Sequence, residues 1–333
     1  MKKALALVLG LILVLSVSLA GAETVLKLSE VHVDGYPTTL ADLEFARLVE
    51  EKTEGRVKIE VYSNGSLYGE ETGAIEAMQI GDLGFARVSA SPVASYVPSL
   101  NAIQMPYLYK SADHMWAALD DAAVGQKMLD DIEASGSGLM GLCYYDSGCR
   151  SFYLTKEIHT PADMAGLKIR MQNNAMMVEM VELLGGTGVT GIGPNDIYQS
   201  IMTGVIDGAE NNWPTYESKG DYQAATYYIL DQHTRVPEIL LGSVLALQEA
   251  GVSAEDIAII KQCAKETQEF EKAEWHKKEL ASEEIVRGNG NTIIELTADE
   301  RALFEAAVQP LYEKYAADYT DVVEAIRKIG EGF

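Results

Sequence analysis

The chain has 333 residues, with 26 Lys and Arg against 50 Asp and Glu and a formal net charge of −24. A polyanion of this strength repels nucleic acid and anionic membrane surfaces, which argues against both as partners. The length exceeds what one hydrophobic core usually fills, so two lobes are expected.

The first residues read as a targeting segment. Met1-Lys2-Lys3 is basic, Ala4 to Ala20 is apolar and uncharged, and Ala20-Gly21-Ala22 offers small residues to a signal peptidase. The expectation is a secretory signal over 1–22, cleaved after Ala22, and a soluble protein in the periplasm or outside the cell. An uncleaved membrane anchor is the rival reading, and the small-residue exit disfavours it. No Cys follows the cleavage site, so lipid anchoring is not expected.

Thr24 to Glu30 alternates like a strand, and Thr39 to Glu54 carries apolar residues at helical spacing until Gly55. Val57 to Tyr62 is a second strand, closed by a turn at Asn64-Gly65-Ser66. A helix over Glu70 to Ile80 and a strand over Leu83 to Val88 follow. Asp113 to Ala134 reads as one long helix, then Gly138 to Tyr145 and Arg150 to Leu154 as strands. Strands at Leu167 to Arg170, Gly188 to Thr190 and Val205 to Ala209 alternate with helices at Met176–Leu184 and Pro194–Met202. Ile239 to Ala246 is a further strand. Ala254 to Arg287 is a long helix too charged for a core, expected along the outside of both lobes, and Thr297 to Gly330 is mostly helical. This alternation predicts an α/β fold with two domains, 23–147 plus 237–275 and 148–236 plus 276–333, joined by crossing strands as in a hinged clamshell.

No catalytic set emerges. There is no Gly-x-Ser-x-Gly elbow, and His32, His114, His159, His233 and His276 never fall at His-x-x-x-His spacing, so neither a metal nor another cofactor is expected. His114 and His276 sit in charged helices and read as surface residues. Gly186 to Gly191 matches G-x-G-x-x-G but follows a helix, so it reads as a turn feeding a strand. Cys143, Cys149 and Cys263 form neither a disulfide framework nor a zinc knuckle and read as free thiols, with a Cys143–Cys149 pair as the alternative.

What remains is a group of polar residues at strand ends, where open α/β sheets bind ligands. Arg87 ends one strand, Arg150 begins another and Arg170 ends Leu167–Arg170. Asn211 and Asn212 follow a strand and lead into Trp213 and Tyr216. A guanidinium matches a carboxylate two-pronged, and aromatic faces beside donors suit a sugar ring. The bland alternatives are a core Trp and arginines paired with structural carboxylates.

At these residues the chain resembles the solute-binding subunits of tripartite ATP-independent periplasmic (TRAP) transporters, of the dicarboxylate-binding-protein type. The likeness spans the chain after residue 22. It is carried by Gly166-Leu-Lys-Ile-Arg-Met-Gln-Asn173, Asp207-Gly-Ala-Glu-Asn-Asn-Trp-Pro-Thr-Tyr216 and Ile103-Gln-Met-Pro-Tyr-Leu-Tyr109. The resemblance implies a two-domain clamshell with a long helix spanning both domains, closing on an organic acid for an integral membrane permease. It places the ligand carboxylate on Arg170 and further contacts on Arg150, Asn211 and Arg87.

Glu30-Val-His32, Gly35-Tyr-Pro-Thr38 and the segment to Tyr216 are similar to the members that bind hexuronates such as glucuronate and galacturonate. Asp34 and Thr234-Arg-Val236 depart from that pattern. A hexuronate needs one fork for its charge and many small groups for its hydroxyls. Arg170 would supply the fork; Arg150, Arg87, Asn211, Glu30 and His32 would reach hydroxyls; Trp213 or Tyr216 would cover a ring face. Alternatives are a C4-dicarboxylate or small 2-hydroxy or 2-oxo acid ligand, a secreted enzyme using Glu30 and His32 as acid and base, and a sensor presenting its closed form to a receptor.

Overall fold

The computed structural model describes residues 23–333, so the leader reading lies outside the described residues. The first sheet contains β1 (Thr24–Ser29), β2 (Val57–Tyr62), β3 (Phe85–Ser89), β4 (Leu139–Tyr145) and β10 (Glu238–Ser243). Its order is β2-β1-β3-β10-β4, with β1 parallel to both neighbours and β10 antiparallel to both of its own. The second contains β5 (Ser151–Leu154), β6 (Lys168–Arg170), β7 (Thr187–Val189), β8 (Gly208–Asn211), β9 (Tyr227–Ile229) and β11 (Thr292–Ile294), in the order β11-β9-β5-β8-β6-β7. Each sheet anchors one lobe.

Local chemistry explains the elements that frame the cleft. Pro37 presets the first turn of the helix Pro37–Lys52, which buries Ala41, Phe45, Leu48 and Val49. The strand β10 is buried along its whole length, as its unbroken Ile-Leu-Leu run requires of a strand paired on both sides. The chain crosses between lobes at 146–150 and 230–237, and the crossings are tied where Arg150 N–H donates to the Thr234 carbonyl at 2.8 Å. The long helix Ala254–Gly288 spans about 52 Å at 1.5 Å per residue. It packs on Pro37–Lys52 in one lobe and on the helix Trp213–Ser218 in the other.

Several elements depart from the sequence reading. The helix expected over 113–134 is broken into Ala112–Leu119 and Lys127–Ala134, with a wide turn at Ala122–Gln126. Gly125 is the cause: a Cβ there would lie 1.7 Å from the Leu119 carbonyl oxygen, so the chain folds back where only glycine fits. The strand expected at 205–209 begins only at Gly208, which puts Asn211 on the strand rather than after it. β10 ends at Ser243, whose hydroxyl caps the helix Val244–Glu249.

His114, read as a surface residue, is buried. Its Nδ1 accepts from Lys110 N at 3.1 Å, so its Nε2–H donates to the Ile326 carbonyl at 2.8 Å. The helix Thr320–Ile329 therefore packs on Ala112–Leu119 of the first lobe, although it was assigned to the second domain. His276 is exposed. The three cysteines are free, with Cys143 and Cys263 buried.

Gly208 opens the segment that delivers Glu210 and Asn211 to the cleft. A Cβ there would lie 2.2 Å from the Tyr153 carbonyl oxygen of the neighbouring strand. Gly208→Ala should lower stability by about 2–3 kcal/mol, read as a reduced urea midpoint at unchanged m-value.

Candidate ligand-binding site

The cleft lies where strand ends of the two lobes meet. A cavity is lined by Val31, His32, Glu71, Ser89 and Glu238 from one lobe and by Arg150, Arg170, Gln172, Pro194, Asn211 and Thr215 from the other. A second cavity shares Glu71, Arg170, Gln172 and Pro194 and adds Glu70, Thr72, Pro92, Asn173 and Ile192. The lobes are closed over this space. Across it, Lys219 Nζ donates to the Val31 carbonyl at 2.8 Å, Tyr36 OH pairs with Thr215 Oγ1 at 2.9 Å and Asn173 Nδ2 donates to Thr72 Oγ1 at 2.9 Å.

The three arginines expected at the site have different fates. Arg87 is wholly buried and is engaged by carboxylates: Glu30 on Nε and Nη2, Glu71 at 2.7 Å and Glu238 at 2.6 Å on Nη1. It lines neither cavity. Arg150 lines the first cavity, but its fork is held by Glu210, with Nε at 2.5 Å and Nη2 at 2.8 Å. Its Nη1 donates to Asn211 Oδ1 at 3.0 Å, which leaves Asn211 Nδ2 without a partner among the described residues.

Arg170 is different. It is 8% exposed and lines both cavities, yet its single hydrogen bond among the described residues runs from Nε to the Ile192 carbonyl at 2.9 Å. No carboxylate of the described residues pairs with it. Burial lowers its pKa, the direction expected of a cation lacking a counter-ion. A buried charge without a partner costs several kcal/mol, so the site favours an anion brought from outside.

The acidic side is equally specific. Burial pushes the Glu30 carboxyl up, but Arg87 and His32 outweigh it and hold it well below the usual range. Glu30 also accepts from His32 N and Thr38 Oγ1, both at 2.8 Å, and does not line the cavities. His32 does line the first one, stacked on Tyr36 at 3.9 Å. Burial and Arg87 bring its pKa down to about 4, so the ring is neutral at physiological pH. Behind Arg150, His233 is fully buried between Asp231 at 2.7 Å and Glu210 at 3.3 Å. Burial alone would depress it, but the two carboxylates raise it to about 9.

Trp213 and Tyr216 do not face the cleft. Trp213 stacks on Tyr228 at 3.9 Å and Tyr216 donates its hydroxyl to the Ala225 carbonyl, both within the second lobe's core. Asn212 caps this helix by accepting from Thr215 N at 2.8 Å, and that turn presents Thr215 to the cavity instead. Gln172 and Asn173, not singled out from the sequence, lie in the same segment as Arg170. Glu71 and Glu238 were also missed: in a chain with 50 acidic residues, two more carry no signal.

Residues 28–318 match the DctP family, bacterial extracellular solute-binding protein family 7. A solute-binding protein of Chromohalobacter salexigens is 34% identical over 325 residues, covering 97% of this chain and 94% of its own. A TRAP periplasmic solute-binding protein of Pseudomonas putida F1, crystallised with D-glucuronate, superposes with a TM-score of 0.86 at 34% identity, covering 91% of this chain and 96% of its own. One from Xanthobacter autotrophicus Py2, with bound β-D-galacturonate, gives 0.86 at 32%, covering 91% and 99%. The chain belongs to this family and is a TRAP solute-binding protein.

The buried His233 makes the hinge sensitive to alkali. Its pKa is about 9 in the folded state against an ordinary 6.5, so its stabilisation is complete below pH 6.5 and fades as pH rises through 9. His233→Gln should be less stable at pH 6 by on the order of 2 kcal/mol and should lose less stability than wild type between pH 6 and 9, measured by urea unfolding.

Proposed function

We propose that this protein works outside the cytoplasm, captures a hexuronate such as glucuronate or galacturonate, and delivers it to the integral membrane permease of a TRAP transporter. The observation that carries the ligand class is Arg170: a buried guanidinium, inside a closed cleft, that no carboxylate of the described residues pairs with. A ligand carboxylate would fill that role two-pronged. The uronates bound by the Pseudomonas and Xanthobacter relatives support the same class. Around Arg170 the cavity offers Asn211, Gln172, Thr215, Ser89 and a neutral His32, groups that both donate and accept, as a polyhydroxylated ring requires.

Binding without chemistry is supported by the state of the acid–base candidates. Both Glu30 oxygens are committed to Arg87, with His32 N and Thr38 as further donors. The leader-like residues 1–22 support export. Energetically Arg170 is necessary but insufficient. A hydrogen bond to a charged group contributes about 1.5–3 kcal/mol, whereas micromolar affinity needs about 8 kcal/mol. Hydroxyl contacts and exclusion of water on closure supply the remainder.

Glucuronate or galacturonate should raise the melting temperature, since a ligand at 100 times its Kd stabilises the native state by about 2.7 kcal/mol. Arg170→Ala should fold and lose this shift, and Arg170→Lys should lose most affinity because a point charge cannot replace a fork. A wild-type protein that no sugar acid stabilises, or an Arg170→Ala variant with unchanged affinity, would refute the reading.

A further inference from the structure

Two walls of opposite sign enclose the cavity. Among the described residues no carboxylate pairs with Arg170 on one. On the other, Glu30, Glu71 and Glu238 all pair with Arg87, so the carboxylates outnumber the cation they share. Glu71 opens the helix Glu71–Gln79 and folds back, so that its Oε1 accepts from Arg87 Nη1 at 2.7 Å, Ser89 N at 3.1 Å and Ser89 Oγ at 3.3 Å. Among the described residues its Oε2 has no partner. The side chain is 12% exposed and lines both cavities, each of which also contains Arg170. Glu238 lies beside it, with Oε2 at 2.6 Å from the same Arg87 nitrogen. Burial, offset in part by Arg87 and reinforced by Glu71, lifts the Glu238 carboxyl to about 7, so Glu238 carries only part of a negative charge at neutral pH.

We infer that Glu71 is a specificity-determining residue: its free carboxylate oxygen accepts a ring hydroxyl of the bound sugar acid, and its own negative charge rejects a second ligand carboxylate. The inference rests on the hexuronate reading and deepens it. A ligand anchored at Arg170 must extend toward the opposite wall. A hexuronate presents hydroxyl donors there. A C4-dicarboxylate presents an anion, which meets like charge in a water-poor cleft. Arg87, Ser89 N and Ser89 Oγ hold Glu71 in place before ligand arrives, so little side-chain freedom is lost on binding.

Glu71→Gln and Glu71→Asp test this in the full-length mature protein, by calorimetric titration with glucuronate, galacturonate and malate. Glu71→Gln should bind the preferred uronate about 10–100-fold more weakly, the loss expected for one hydrogen bond to a charged acceptor, and should bind malate at least tenfold better than wild type does. Glu71→Asp, which keeps the charge but withdraws the oxygen, should weaken the uronate and still reject malate. If wild type binds a uronate and Glu71→Gln changes neither affinity, this inference is overturned while the hexuronate reading stands. If wild type prefers malate to both uronates, the reading and the inference fall together.

Discussion

A guanidinium inside a protein must be given an anion or be paid for in desolvation. Arg87 and Arg150 receive theirs from the chain, the first from Glu30, Glu71 and Glu238 and the second from Glu210. Arg170 receives none from the described residues. The site depends on that difference. Two arginines are paired within the walls, and Arg170 is left facing the cavity. The same pairing fixes the neutral state of His32, because burial together with the Arg87 charge removes its proton at physiological pH.

The fold exists to bring these groups together at closing surfaces. Glu30 follows the end of β1, Arg87 sits in the middle of β3, Glu238 starts β10, and Arg170 and Asn211 end β6 and β8. Each lies at the edge of a sheet that faces the other lobe, which is the crevice position of an open α/β sheet. Arg150 and His233 lie on the two crossing segments, so the Arg150–Glu210–His233–Asp231 chain of alternating charge ties the hinge to the cavity wall. The helix Ala254–Gly288 straps both lobes from outside, with Lys52–Glu266 on one side and Lys278–Glu217 on the other. These exposed pairs contribute little energy, and the packing of the helix carries the restraint.

Strand rhythm and strand ends were legible because they are local. Period-two patterning and glycine stops located most elements, and Arg170 could be placed at the end of its strand from Gly166 to Asn174 alone. What escaped is set by contacts distant in sequence. Arg87 reads as a strand-end arginine in the sequence, but β3 runs on to Ser89, and the partners that hold its fork sit at 30, 71 and 238. The break after Leu119 depends on Gly125 approaching a carbonyl six residues back, a steric fact invisible to periodicity. Trp213 and Tyr216 were misread although the clue was present. They are three apart on a short helix and so share one face, and that face packs on Tyr228 while Thr215 points the other way.

Closure itself is best understood as an electrostatic balance. The cross-lobe bonds from Tyr36, Asn173 and Lys219 replace bonds to water, and each is worth only about 0.5–1.5 kcal/mol net. Against them, shutting the cleft desolvates Arg170, and a buried unpaired charge costs several kcal/mol. The two terms have opposite sign, so an unpaired Arg170 offsets part of what closure gains. An arriving carboxylate cancels the penalty and leaves the cross-lobe bonds as net gain. A ligand shifts a conformational equilibrium only by its differential affinity for the two states. On the proposed reading that difference is concentrated on one residue: an open cleft would leave Arg170 to water, and a closed one would leave it to the ligand. Pairing Arg170 with a resident glutamate, as Arg150 is paired, would make the closed form more stable and deprive it of its reason to close.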